Sequence, residues 1–471
     1  MSRSKTDIKA FLIAPEKWLA EQQVSGSSHE ALQACALANA IQSEKQALKR
    51  EKARKAEVAK DFKTVAPGSR EHDQLVENMR VASDAFKEVE RRLKETERAL
   101  QEALAALVVD EITPPPLFHI PSSTSAAEPF KVRELAEGEY QAWSAFVRSL
   151  ENVPNYCLPA WSGIIEEAFS HPTRVWIAVS NDGRILGGVP LTILNSRLFG
   201  RFAVSVPFFN YGGVLTRYKN VAYGILEHLK GVREQEAWKH IEIRTMQPGL
   251  ALPSLSRKVS MILPLPSNTP EMDRRLGAKV RAQCKKAEAV EPRIRIGGLA
   301  LLDDFYRVFS INMRDLGTPV YSKVWFRTIL SRPAVRASLA VVYVQDKPVS
   351  AGFLLGHNRM LEIPWASTVR SANAMDCNMW MYRQILDYAI TEGYYFFDFG
   401  RSTMEAGTYR FKKQWGAVPF EHHWYYILPE GGEVPAINPD NPKYQLAIAV
   451  WKRLPVWVTR LVGPSLVKYI P

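Results

Sequence analysis

Tyr394-Tyr395-Phe396-Phe397-Asp398-Phe399-Gly400-Arg401-Ser402-Thr403, followed after a short gap by Gly407-Thr408-Tyr409-Arg410-Phe411-Lys412-Lys413-Gln414-Trp415-Gly416, is the stretch on which the fold turns. Its aromatic run has the length of one buried strand, ends at Asp398 and Gly400, and is followed by a basic, aromatic helix. Such a junction delivers polar side chains to one crevice at a strand end. Asp398, Arg401, Ser402 and Thr403 come from the strand, facing Arg410, Lys412 and Lys413 from the helix.

Upstream of this stretch the pattern reads as a basic helix over 270–289, a strand at 293–296, and helices over 303–313 and 322–330. A hairpin over 337–355, a strand at 360–367 and a helix over 378–391 follow. The same order precedes it: helices over 137–150 and 160–169, a hairpin turning at Asn181-Asp182-Gly183, a strand at 203–209, a helix over 221–235 and a strand at 239–245. A duplicated α/β (α+β) fold follows, with lobes at 129–266 and 267–430. The order resembles the core of acetyltransferases of the GNAT type.

Residues 1–121 differ in character. In 75–107 the positions Leu75, Met79, Ala82, Phe86, Val89, Leu93, Thr96, Leu100, Ala103 and Leu107 step by fours and threes, a heptad seam. Leu37, Ile41 and Leu48 offer the partner stripe, so an antiparallel helical hairpin turning near Pro67-Gly68 is expected, packed tightly at its base and more loosely at its tip. One reading is a coiled coil for homodimerisation or spacing. Another follows from the layout, which resembles the tRNA-binding arm of seryl-tRNA synthetase. Lys45, Lys49, Arg50, Lys52, Arg54, Lys55 and Lys60 would then meet RNA phosphates. The Pro-rich segment 113–128 reads as a linker. The tail, 431–471, alternates apolar residues with cations and carries Trp451 and Trp457. It either packs on the second lobe as short helices broken at Pro455 and Pro464, or lies in a membrane interface.

Composition narrows the classes. Hydrophobic residues make up 46% of the 471, with 12 Trp, 17 Tyr and 20 Phe, enough for packed cores. The net charge of +12 favours polyanionic partners. Cys35, Cys157, Cys284 and Cys377 stand apart without a CxxC pair, which points to a reducing compartment. The absence of a signal-peptide core or a run of membrane-spanning length predicts a cytoplasmic location, or a peripheral one on the inner face of the membrane. No His, Cys or acidic spacing of a metal site is present, and no tightly bound cofactor is expected.

Four motifs carry a closer resemblance: Asn312-Met313-Arg314-Asp315-Leu316-Gly317-Thr318-Pro319, Glu362-Ile363-Pro364-Trp365-Ala366-Ser367, Phe397-Asp398-Phe399-Gly400-Arg401-Ser402, and Tyr409-Arg410-Phe411-Lys412-Lys413-Gln414-Trp415-Gly416. Together they resemble FemAB-related proteins associated with exosortase (PEP-CTERM) and exopolysaccharide gene clusters, over 130–428. The resemblance implies two GNAT-like lobes and an acyl- or aminoacyltransferase forming an amide on a cell-envelope or exopolysaccharide precursor, a glycan or peptidoglycan-type molecule, with aminoacyl-tRNA as co-substrate; a CoA-dependent GNAT N-acyltransferase using acyl-CoA is the alternative. The Gly-rich loop with which acyl-CoA enzymes of the GNAT type hold pyrophosphate is missing: Ser371-Ala372-Asn373-Ala374-Met375-Asp376-Cys377-Asn378 stands there.

Acyl transfer to an amine needs a neutral nucleophile, a proton acceptor and oxyanion stabilisation. Lys412 is the expected oxyanion donor, the position the resemblance singles out, with Arg401 beside it; Glu362 and Asp398 are the expected proton acceptors. An exposed helical lysine is worth within about 0.5 kcal/mol of stability, whereas losing an oxyanion donor costs about a hundred- to thousandfold in rate. Lys412→Met should therefore stay folded and lose activity. Arg410, Lys413, Ser402, Thr403, Tyr211 and Trp365 are candidates for substrate binding, and Arg281 and Lys285 for a phosphate-bearing substrate. A non-catalytic scaffold for polysaccharide machinery is the rival from another class.

Overall fold

The computed structural model describes residues 11–21, 29–62, 65, 68–107, 118, 120, 125–126, 128–196, 199–256, 258–435 and 442–470. Two units meet at 114/115 in the chain. In the first, helices His29–Asp61 and Arg70–Leu107 run antiparallel, as the contacts Lys45–Glu97 (3.4 Å) and Lys55–Ser83 (3.1 Å) require. Phe11, Trp18 and Leu19 are buried against Ala34, Ala38, Ile41, Leu93, Leu100 and Leu104 at the open end. Towards the tip Leu75 and Met79 are only half-buried, because Glu44, Glu51 and Lys55 interrupt the facing stripe. Pro67 and most of the 113–128 linker lie outside the described residues. Ile120 is an exception to the expected boundary at 121: it is buried in the core of the first lobe, its backbone N–H donating to Gln247 Oε1 at 2.9 Å.

The second unit holds two sheets, ordered β1-β2-β3-β4-β6-β15-β7 (β5 on β3) and β14-β8-β13-β12-β11-β10-β9. The strands of the first are β1 (Phe130–Glu134), β2 (Thr173–Ser180), β3 (Ile185–Ser196), β4 (Gly200–Val204), β5 (Leu215–Thr216), β6 (Ile241–Thr245), β7 (Ser254–Leu255) and β15 (His423–Ile427). The second contains β8 (Lys258–Pro264), β9 (Arg293–Gly297), β10 (Ala337–Val344), β11 (Lys347–His357), β12 (Met360–Thr368), β13 (Phe396–Thr403) and β14 (Val418–Glu421). Each sheet is an antiparallel run of four strands, then a parallel pair: β4 with β6 in one, β12 with β13 in the other. The helices Lys219–Gln235 and Cys377–Thr391 make the respective crossovers. The architecture is thus mixed α/β, with two tandem GNAT-like lobes and a helical hairpin before them.

The lobes are not separated at 266/267. β8, which precedes the second lobe in sequence, lies between β13 and β14, while β15, which follows it, pairs with β6 of the first sheet. Each sheet therefore borrows a strand, and the edge it covers would otherwise present unpaired backbone groups. A shared aromatic core joins the lobes: Tyr156, Trp161 and Phe209 from the first pack with Trp325, Phe326 and Phe353 from the second.

Local differences from the sequence reading have simple causes. The basic helix over 270–289 is two helices, Thr269–Arg275 and Ala278–Glu288, interrupted at Leu276-Gly277. Pro464 lies inside the helix Val456–Val467; the flanking Gly463 lets that helix approach the Val320 backbone, where a Cβ would come within 2.8 Å.

Candidate active site

The site forms where β12 and β13 part. Their parallel ladder runs Met360↔Phe396, Leu361↔Phe397, Glu362↔Asp398 and stops there, although both strands continue. Pro364 has no N–H to offer, and β12 bulges against β11 between the pairs Leu355↔Glu362 and Phe353↔Trp365. On β13, Gly400 takes φ +75, and a Cβ there would meet the Ile363 carbonyl oxygen at 3.3 Å. Only glycine fits that turn without strain. The last ladder pair therefore sets two carboxylates side by side at the mouth of the opening.

Asp398 is fully buried and Glu362 nearly so. The Gly400 N–H donates to Asp398 Oδ1 at 2.7 Å. Lys412, on the Gly407–Lys413 helix, donates from Nζ to the carbonyls of Gly400 (2.8 Å) and Arg401 (2.9 Å). Burial pushes Glu362 well above the usual carboxylate range, and the neighbouring Asp398 adds to it. Asp398 is itself pushed up to about 6 by burial, against the opposing pull of the Gly400 N–H, Lys412 and Ser260. Burial lowers Lys412 to about 8, with both carboxylates working against the shift. Two acids and one base thus share one low-dielectric compartment.

Glu362 is also the carboxylate of a cleft lined by Asn155, Tyr211, Gly212, Thr245, His357 and others. Of the groups lining this cleft, Glu362 Oε1 and Asn155 Nδ2 are buried without a hydrogen-bond partner. Behind the cleft the Tyr156 hydroxyl faces Glu362 and opposes the rise of its carboxyl through a side-chain hydrogen bond. The cleft wall is held by His357 Nε2 against the Val153 carbonyl at 2.7 Å. Behind Asp398, Ser260 contacts His422 Nε2 at 3.0 Å, and burial beside Arg401 and Arg244 drives His422 down to about 3, so that its ring is neutral.

The structure brings together Glu362, Asp398, Lys412 and, through the cleft, Tyr211. Other candidates fall elsewhere. Lys412 is 8% exposed, with its ammonium committed to main-chain carbonyls, because the helix packs over the bulge it stabilises. It is not a groove-facing cation, and Asp398 faces it rather than Arg401. Arg401 keeps accessible surface and lies over the Trp424 ring at 5.7 Å, a ring that Arg244 also approaches at 4.2 Å. Ser402 is buried, Thr403 accepts from Lys258 Nζ at 2.6 Å, and Arg410 and Lys413 are exposed, Lys413 lying over the Tyr409 ring. Trp365 packs edge-on into the aromatic core against Phe326 and Phe353. Arg281 and Lys285 are exposed on the Ala278–Glu288 helix, Arg281 donating to the Leu276 carbonyl.

In the first lobe, the place of Asp398 in the ladder belongs to Glu242, opposite Val204. There the carboxylate is neutralised by buried Arg244 at 2.6 Å, so that lobe has an ion pair instead of two carboxyls. Tyr156, Asn155 and Ser260 carried no signal in the sequence; His422 is one of an adjacent pair, His422-His423, that has no metal-ligand spacing. Among the described residues no group of His, Cys, Asp and Glu is placed to hold a metal.

A pyrophosphate cradle of the acyl-CoA kind does not fit the Cys377–Thr391 helix. Its first flanking residue is Asp376, left-handed at φ +54 without a capping bond, its carboxylate 2.9 Å from Lys286. A phosphate at those N–H groups would face a negative charge.

Residues 274–413 match the family described as an acetyltransferase (GNAT) domain; acyl transfer is the corresponding reaction class. No curated protein matches the chain. Among solved structures it is similar to FemX (15% identity, 68% of this chain and 100% of that one, TM-score 0.47). It is also similar to a tandem GNAT protein from the clavulanic acid biosynthesis pathway (10%, 63% and 97%, 0.40). A third likeness is to Saccharomyces cerevisiae N-myristoyltransferase with bound myristoylCoA (8%, 65% and 85%, 0.38).

Proposed function

We propose that this protein is an N-acyl- or aminoacyltransferase that forms an amide on an amine of a cell-envelope or exopolysaccharide precursor, with Glu362 as the proton acceptor. The observation that carries this reading is the pair of buried groups lining one cleft without a hydrogen-bond partner, Glu362 Oε1 and Asn155 Nδ2. Buried polar atoms are ordinarily satisfied, so such a pair marks where a substrate supplies the partners. The acceptor amine enters the cleft neutral and attacks the carbonyl carbon of an activated ester or thioester. Glu362 takes the proton as the C–N bond forms, and its raised basicity suits that task better than an ordinary carboxylate. Asn155 Nδ2 is a donor available to the developing oxyanion, while the Tyr156 hydroxyl faces Glu362. Collapse expels the alcohol or thiol, which recovers a proton from the Glu362 carboxyl. Asp398 and Lys412 are positioning residues that set the charge state of Glu362.

The donor is an acyl thioester such as acyl-CoA, held without the usual pyrophosphate loop. A second reading has aminoacyl-tRNA as donor, with the exposed Lys45, Lys49, Arg50, Lys52, Arg54 and Lys60 of the hairpin supplying phosphate contacts. Incubation of amino-sugar and peptide amines with acetyl-CoA or charged tRNA, followed by mass spectrometry of the amide, separates the two. Amide formation that is abolished in Glu362→Gln supports the proposal. Amide formed equally well by that variant, or by neither donor, overturns it.

A further inference from the structure

The C-terminal helices Pro442–Trp451 and Val456–Val467 are built inside out. Val456–Val467 turns Thr459, Gly463 and Val467 inward and is fixed to the Leu302–Leu316 helix by Arg460, which donates to Ser310 Oγ at 2.8 Å and covers the Tyr306 ring at 5.4 Å. A surface helix ordinarily buries its large apolar residues and presents polar ones. Here Trp457 is 68% exposed and Leu461 71%, with Val462, Leu466 and Ile470 exposed beside them. The preceding helix adds Leu446 at 68% and Val450 at 52%. At the junction between the helices stand Lys452 and Arg453, both exposed. Residues 442–471 contain Lys443, Lys452, Arg453, Arg460 and Lys468 and no Asp or Glu.

We propose that this face is a docking surface for an anionic lipid bilayer. Large exposed apolar patches on a folded domain mark interaction surfaces, and the composition of this one selects the partner. Trp and Leu enter the headgroup-acyl boundary while Lys452 and Arg453 meet lipid phosphates. No described helix is long and apolar enough to cross a membrane, so the contact is with the surface. The inference does not rest on the acyl-transfer reading, and either can fail alone.

The test is sedimentation of the full chain with sucrose-loaded vesicles of phosphatidylcholine, with and without phosphatidylglycerol. Wild type is expected to sediment with the anionic vesicles, to bind at least tenfold less to pure phosphatidylcholine, and to be released by salt. Trp457→Ser combined with Leu461→Ser alters two solvent-facing side chains; it should leave circular dichroism and Tm unchanged and abolish binding. Lys452→Gln combined with Arg453→Gln should weaken partitioning about thirtyfold, the loss expected for two surface cations. Wild type remaining in the supernatant with anionic vesicles overturns the proposal. So does undiminished binding by the Trp457/Leu461 variant, which assigns the contact to other cations such as those of the hairpin. A dimer that the same variant dissociates, without vesicle binding, overturns it in favour of a second copy of the chain.

Discussion

At the scale of single residues, Glu362 and Lys412 exchange the prominence that their sequence positions suggest. Lys412 stands in the most basic of the four motifs, yet it is the inner partner of two buried carboxyls and two carbonyls. Its replacement by Met leaves Asp398 and Glu362 without their cation, and loss of one member of a buried charged set costs about 3–5 kcal/mol. Lys412→Met should therefore show a large drop in Tm, contrary to the expectation from sequence of a folded, inactive variant. Glu362→Gln keeps the volume and removes the proton acceptor: kcat/KM should fall about 10²–10⁴-fold with little change in Tm. In wild type the acid limb of kcat/KM should lie above the ordinary carboxylate pKa of about 4.3, since Glu362 is raised. His422 gives a separate readout. Its pKa falls from 6.5 to about 3 on folding, so between these values the unfolded chain binds a proton that the folded one does not. Stability therefore declines as pH falls below 6.5, by about 1.4 kcal/mol per pH unit from this group. In His422→Gln, denaturant titrations across that range should lose this slope.

At the scale of elements, the opening between β12 and β13 depends on Pro364 and Gly400. Gly400→Ala places a Cβ at φ +75, 3.3 Å from the Ile363 carbonyl, and should cost about 1–3 kcal/mol. Because the same turn presents the Gly400 N–H to Asp398 and its carbonyl to Lys412, activity should fall with stability, as paired chemical denaturation and rate measurements would show. The strand carrying Asp398 and the helix carrying Lys412 were legible from the aromatic run and the flanking glycines, but the strand runs on to Thr403 instead of ending at Asp398 and Gly400. The side of the helix that turns inward was not, since Arg410, Lys412 and Lys413 are equally basic and only packing against the bulge distinguishes them. Glu362 was legible as a residue of a motif, but its pairing with Asp398 needs a ladder across thirty-six residues of chain.

At the scale of the whole molecule, the exchange of β8 and β15 makes the lobes mutually dependent. A fragment 115–471 should melt cooperatively, whereas 129–266 lacks β15 and 267–430 lacks β8, and each alone should show no cooperative unfolding by calorimetry. The sequence by itself determined the hairpin, the repeat of element order and the class of the fold, because these rest on periodicity and on turn residues that act within a few positions of one another. Tertiary structure alone decided which strands cross between lobes, which acids share a compartment, and that Asn155, Tyr156 and Ser260 lie beside Glu362 and Asp398. Those outcomes depend on burial and on contacts between residues far apart in the chain. Burial is also what turns ordinary carboxyl, ammonium and imidazole groups into ones with shifted affinity for protons.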